Sequence, residues 1–455
     1  MGPSATPPPP IPRLVLRKSG EETSSTQPSI LFAGDFYASR DHPVQNAGDL
    51  FDPAVIGWIQ HSSFSVVNFE GTLALRDSKG IRKDGPHLAL SEYAPTLLQS
   101  AGFQAVTLAN NHAMDYGSEG LRETLESCAR SGLQHAGAGH NSDHAERALQ
   151  VCLPGNIEVR ILSLCEREFG VSENNGAGTA WLTSPQAENA VDQAKRESDV
   201  VIVCAHGGNE LMPLPSAQRR QQLQRLVDAG ADLVIGHHPH VPQGWEQYAN
   251  GYIFYSLGDF YFDSTDGNRY NYRDWGFMVR ASIGQGHITA LEIVPYERRH
   301  DRVGLLGTYR DAASHVSYLE ELASILTSPD FEGYWQELAV NRLSAYQPVF
   351  RSRFTYPRLS FRKRVKETLV MADELLSLWR PSRRHTALST GNSQSAEKEA
   401  LGTLNAVRCE SHRWAIETAF AVLGGETQDR RTPEIKDKLK ALGKFSAYRA
   451  DISAY

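Results

Sequence analysis

Five times between Ile30 and His240 a short apolar run stops at residues of the kind that bind metals. Ile30-Leu31-Phe32-Ala33 gives way to Gly34-Asp35, and Ser65-Val66-Val67 to Asn68-Phe69-Glu70-Gly71. Val106-Thr107-Leu108-Ala109 is followed by Asn110-Asn111-His112, and Val200 to Ala205 by His206-Gly207-Gly208-Asn209-Glu210. The fifth run, Ala231-Asp232-Leu233-Val234-Ile235, ends in Gly236-His237-His238-Pro239-His240. A short apolar run bounded by Gly and polar residues reads as a buried strand. Parallel strands deliver their C-terminal ends to one edge of a sheet, so five such ends predict a single site there. On an extended segment His238 and His240, two apart, share a face and can converge on an ion.

The rest of the first 300 residues fits this reading. Further strands are expected at Val159–Leu164 and Tyr252–Tyr255, and helices at Ala94–Ser100, Ser118–Ser131, Pro185–Glu197 and Ala217–Ala229, the last closed by Gly230. Strands alternating with helices define an α/β fold. A strand pair near Gly276–Ser282 and His287–Val294 is expected to finish the sheet region. Residues 1–28, dominated by Pro, Ser and charge, read as a disordered tail, and 29–310 as the α/β domain. From 311 to 455 the texture is helical, with candidates at Ala312–Leu326, Phe331–Leu343, Arg364–Trp379 and Lys398–Leu423 and a linker over Pro381–Ala396. This extension reads as a helical cap or as an interaction module for a protein partner.

Composition narrows the function classes. A net charge of −7 gives no electrostatic footprint for nucleic acid. No stretch approaches the length of apolar sequence that spans a bilayer, so no integral membrane segment is expected. The Pro-rich N-terminus lacks the apolar core of a signal peptide. The five cysteines, an odd number without CxxC spacing, fit reduced thiols. The expectation is a cytoplasmic chain.

Carboxylate, amide and imidazole together suit Mn, Zn or Fe, one or two ions, rather than Ca or Mg. With Arg40, the Asn111-His112-Ala113-Met114-Asp115-Tyr116-Gly117 stretch and Ser256-Leu257-Gly258-Asp259-Phe260 added, these motifs resemble the CapA family of capsule and poly-γ-glutamate biosynthesis proteins. That family is similar to the calcineurin-like metallophosphoesterases, and the resemblance covers about Ser29 to Pro295. It implies a calcineurin-like metallophosphoesterase sandwich core carrying a helical C-terminal extension. It also implies that Asp35, Glu70, Asn111, His206, His238 and His240 are metal ligands, with Glu70 bridging two ions and His112 acting as general acid. The superfamily usually carries His two positions after the first Asp, where this chain has Tyr37, and the family usually carries Asn in the Ser-Leu-Gly-Asn-Phe motif, where this chain has Asp259.

The neighbouring residues admit two readings each. Asp115 orients the His112 imidazole or caps the helix that follows. Glu210 supports a ligand histidine or meets substrate, and Arg40 takes a phosphate or carboxylate of the substrate or sits in a surface ion pair. Asp259 joins the ligands or accepts a hydrogen bond behind them. Asn68 and His237 are expected at the margin of the site, His237 as the structural member of its trio. The leading expectation is a metal-dependent hydrolase or transferase acting on an amide or phosphoester bond of an anionic polymer or peptide. The alternatives are a metal-dependent peptide isomerase or epimerase, and a non-catalytic polymer-binding assembly factor.

Overall fold

The computed structural model describes residues 14–17, 27–74, 78–263, 274–299, 302–306, 309–351 and 393–443. The chain divides into two compact units, the first dominated by Pro86–Ser328 together with the residues up to Ile81, the second by Pro329–Ala441. The helix Tyr309–Leu326 belongs to the first unit, so the change of unit falls later than the change of texture at 311.

The first unit is an α/β structure with two main sheets. In the larger, the strands Ser29–Tyr37, Phe64–Phe69, Ala105–Thr107 and Gln134–Ala136 run parallel and adjacent in that order. In the smaller, Ile157–Cys165, Val200–His206, Leu233–His237 and Gly251–Phe254 are likewise parallel and adjacent. Every residue of Ser29–Tyr37, Val200–His206 and Leu233–His237 is buried, which accounts for their apolar runs rather than an alternating pattern. Helices begin where the sequence supplies caps: the Ser184 side chain accepts from Ala187 N–H at 3.2 Å ahead of Pro185–Arg196, and Ser216 from Arg219 N–H at 2.9 Å ahead of Ala217–Asp228.

Antiparallel strands close one side of the larger sheet. Trp275–Gly284 pairs with the first half of Ser29–Tyr37 and with His287–Arg299, while Asp259–Phe262 runs parallel to its second half. Leu14–Arg17 then pairs with Ala290–Ile293. This corrects the reading of residues 1–28 as a tail throughout: Leu14-Val15-Leu16 supplies backbone partners and apolar side chains to an otherwise open edge. Phe254 and Phe277 bring the two sheets together with ring centroids 6.1 Å apart. A second aromatic group, Phe36, Phe51, Phe69, Phe260 and Tyr296, is fully or almost fully buried behind the strand ends. Each such ring contributes about 1.5–3 kcal/mol by burial, which anchors the Asp35, Glu70 and Asp259 backbones beside it.

In the second unit, Phe331–Arg351 packs with Glu410–Gly424, where Trp335 Nε1 donates to Thr418 Oγ1 at 3.1 Å. The single helix expected over Lys398–Leu423 is two, Ser393–Arg408 and Glu410–Gly424, separated by extended backbone at Cys409. The break buries Ser411 and places Glu410 in a new first turn, where the helix dipole favours a carboxylate. Ser393–Ala396 of the expected linker is helical, and the rest of that linker, like the expected helix Arg364–Trp379, lies outside the described residues. No helix among the described residues is long and apolar enough to cross a membrane.

Candidate metal centre

The two sheets meet at strand ends, and Asp35 is the joint. A register shift after Ala33 sets Asp35 opposite Asn68 on the neighbouring strand. Its Oδ1 accepts from Asn68 Nδ2 at 2.8 Å, and its Oδ2 from the backbone N–H of His238, on the other sheet, at 3.1 Å. Gly34 permits the approach, since a Cβ there would stand 1.9 Å from the Gly258 carbonyl oxygen, to which Asp35 N–H donates at 3.1 Å.

Around this joint the polar atoms converge. His206 Nε2 lies 3.1 Å from Asn111 Oδ1 and 3.2 Å from His238 Nδ1. His240 Nε2 lies 3.7 Å from Glu70 Oε1, and its Nδ1 is 2.7 Å from Asp259 Oδ1 and 3.7 Å from Asp35 Oδ2. The turn that presents these imidazoles holds His238 at φ 94° and His240 at φ 58°, left-handed conformations rare for residues with side chains. Among the described residues, two groups bring three ligating atoms within 4.8 Å of one another: Asp35, Glu70 and His206, and Asp35, His240 and Asp259. Both share Asp35.

Electrostatics separate the donors by type. Burial holds the His206 imidazole well below its ordinary range, and the neighbouring His238 and His237 push it further. Burial also lowers His237 and His238, against opposing carboxylates. These rings are neutral, the form that ligates. Glu70 moves the other way: burial raises its carboxyl well above the usual range, and Asp35, Asp259 and Glu210 raise it further while His240 opposes. Glu70 is fully buried, and neither of its oxygens has a hydrogen-bond partner among the described residues. A buried carboxylate in that condition is costly unless a cation completes it. The donor set of carboxylate, imidazole and carboxamide fits a transition-metal ion.

His112 stands at the edge of this group with Nε2 3.9 Å from Glu70 Oε1. Its Nδ1 is 2.7 Å from Asp115 Oδ2, an oxygen that also accepts from Leu88 N–H at 2.7 Å. Thr72 Oγ1 donates to the His112 carbonyl at 2.6 Å and fixes the turn. The helix Gly117–Arg130 has Tyr116 at its N-cap with no side-chain cap bond, so the Asp115 carboxylate serves His112 and Leu88 rather than the helix end.

Other expected site residues stand apart from the ligating groups. His237 Nε2 donates to the Ala33 carbonyl at 3.2 Å, tying one sheet to the other. Arg40 lies over the Tyr116 ring at 5.5 Å, and Glu210, partly exposed, acts on Glu70 and His238 through charge. Tyr37, two residues after Asp35, points its hydroxyl to the Ala89 carbonyl at 3.4 Å and packs on Phe262.

Sequence reasoning missed the buried pair Glu166 and Arg219. Glu166 N–H donates to the His206 carbonyl at 2.9 Å, its Oε1 accepts from Gly208 N–H at 3.3 Å, and its Oε2 accepts from Arg219. A Cβ on Gly207, at φ 154°, would lie 2.3 Å from Arg219 Nη2. The pair thus fastens the turn that carries His206. The signal was available, since Val159–Leu164 also ends in a ligand-type residue, one strand over from His206.

A family model for the bacterial capsule synthesis protein PGA_cap matches residues 29–264, which take in every one of these strand ends. The chain belongs to this family. Over 214 residues it is 32% identical to the capsule biosynthesis protein CapA of Bacillus anthracis, covering 45% of this chain and 52% of that one. Over 205 residues it is 31% identical to the PGA biosynthesis protein CapA of Bacillus subtilis (strain 168), covering 44% and 54%. The chain spans about half the length of the curated relatives it matches. Among solved structures, a 5'-nucleotidase from Candida albicans SC5314 matches with a TM-score of 0.38 at 11% identity, over 62% of this chain and 54% of that one.

Proposed function

We propose that the chain is a metal-dependent enzyme that hydrolyses or transfers an amide or phosphoester bond in poly-γ-glutamate, capsule or peptide metabolism. The observation that carries the reading is Glu70: a fully buried carboxylate without a hydrogen-bond partner among the described residues, itself a member of one of the two three-residue ligating groups that share Asp35. Asp35, Glu70, Asn111, His206, His238 and His240 would hold the metal, with Asp259 adjoining through His240. A divalent transition ion in such a site supplies Lewis acidity and lowers the pKa of water.

The chain's own residues do the rest. Asp115 accepts the His112 Nδ1 proton, which leaves Nε2, facing Glu70, as the atom that carries or releases the exchangeable proton. A protonated Nε2 there serves a leaving group. Asn68 holds Asp35 in place, with its own Oδ1 fixed by Thr107 at 3.1 Å. The capsule and PGA names of the Bacillus relatives support a polymer or peptide rather than a nucleic acid as substrate. The test is turnover of γ-glutamyl oligomers and of phosphodiesters by metal-replete protein and its His112→Ala variant. Cleavage or transfer on one class, lost in the variant while the metal stays bound, supports the reading. Equal turnover by both proteins refutes the acid role, and solvent deuterium entering an uncleaved peptide refutes hydrolysis.

A further inference from the structure

Away from the metal centre, Gln134–Ala136 is the last strand of the larger sheet and Leu149–Leu153 the last of the smaller, and the two lie against each other. A cavity of about 460 Å3 opens there, within the range of about 300–1,000 Å3 typical of ligand sites. We propose that it is a binding site for a carboxylate-rich peptide chain, a glutamyl oligomer. The choice of polymer rests on the function proposed above.

Its lining carries His135, His140, His144 and Arg147, and no Asp or Glu. The lining thus sets the Arg147 guanidinium against no carboxylate, in a chain with 53 acidic against 46 Lys and Arg residues, while burial and the neighbouring His140 hold the His135 imidazole below its ordinary range. His140 and His144 meet edge to face with ring centroids 6.2 Å apart. Arg147 is exposed and makes no ion pair with any described residue, so its guanidinium is available to a ligand. The imidazoles do not converge as metal ligands, because among the described residues the sets of three ligating atoms lie at the centre described above.

The remaining lining matches the other parts of a glutamyl unit. Gln134 and Gln150 offer amides to a peptide backbone, and Leu125 and Leu149 offer apolar surface to methylene groups. Phe, Tyr and Trp are absent from the lining, which leaves no broad aromatic platform for stacking nucleobases.

The test is fluorescence anisotropy of a labelled γ-linked glutamate oligomer with the full chain, at fixed pH and ionic strength. Arg147→Ala and the double variant His140→Ala/His144→Ala, all exposed positions, are each expected to weaken binding about tenfold without changing circular dichroism or metal content. Asp35→Ala, which targets the metal centre, is expected to keep this binding. Wild-type affinity in both cavity variants overturns the proposal, as does inorganic phosphate displacing the oligomer as readily as unlabelled oligomer, which marks a plain anion hole. Loss of binding in Asp35→Ala alone places the oligomer at the centre and also overturns it. Retention of metal by Asp35→Ala counts against the metal reading and leaves the cavity result standing.

Discussion

Two buried carboxylates in the same unit show how differently a fold can treat the same group. Glu246 is 3% exposed and Glu70 is 0% exposed. Glu246 accepts from Arg220 Nη2 at 2.6 Å, from Gln224 Nε2 at 3.0 Å and from the Tyr255 hydroxyl. Glu70 has Asp35 and Asp259 as charged neighbours and no hydrogen-bond donor for either oxygen among the described residues. The first arrangement closes within the chain and serves stability. The second does not close in this way, which is the contrast on which the proposed metal centre rests, and beside it His238 and His240 hold left-handed backbone that carries strain.

Substitutions can break this contrast, and they rank by expected effect. Asp35→Ala removes the residue common to both ligating groups and is expected to reduce bound metal to background, with the largest loss of turnover. His112→Ala is expected to keep the metal and lose about 10²–10⁴-fold in turnover, read as kcat with metal measured in the same sample. Arg220→Ala strips Glu246 of its cation and is expected to cost about 3 kcal/mol in urea unfolding while metal per folded chain stays unchanged. Glu70→Gln is expected to act in opposite directions on metal binding and on stability. The Glu70 carboxyl is raised in the fold, so the metal-free folded chain binds a proton that the unfolded chain has released, and its stability falls as pH rises above the ordinary value of 4.5 toward the raised one. Glutamine removes that loss: metal-free Glu70→Gln is expected to melt above the metal-free wild type at neutral pH while binding metal more weakly. A lower melting temperature for the metal-free variant would contradict the account of Glu70.

Much of the centre was legible because local sequence dictates it. Runs such as Val200–Ala205 leave no polar face, so they form buried strands, and the Gly and imidazole residues that end them mark where the strand leaves the core. What local pattern does not carry is pairing between distant segments. Asp259 reaches His240 because Asp259–Phe262 runs beside Ser29–Tyr37, more than 200 residues earlier, and no periodicity encodes that. Leu14–Arg17 is a strand because His287–Arg299 offers it an edge. Glu166 stands alone after its apolar run, and its partner Arg219 comes from the helix Ala217–Asp228, two helices further along the chain, a pairing that no local pattern encodes. Nothing in the Cys409 side chain forbids a helix, and the break there goes with the burial of Cys409 and Ser411.

Whether Glu70 and its neighbours hold metal is decided by stoichiometry. Full-length protein prepared under metal-replete conditions is assayed by elemental mass spectrometry beside Asp35→Ala and Arg220→Ala. One or two transition-metal ions per chain are expected in wild type and Arg220→Ala, and background in folded Asp35→Ala. Folded wild type without metal, or Asp35→Ala holding the wild-type amount, would contradict the metal centre.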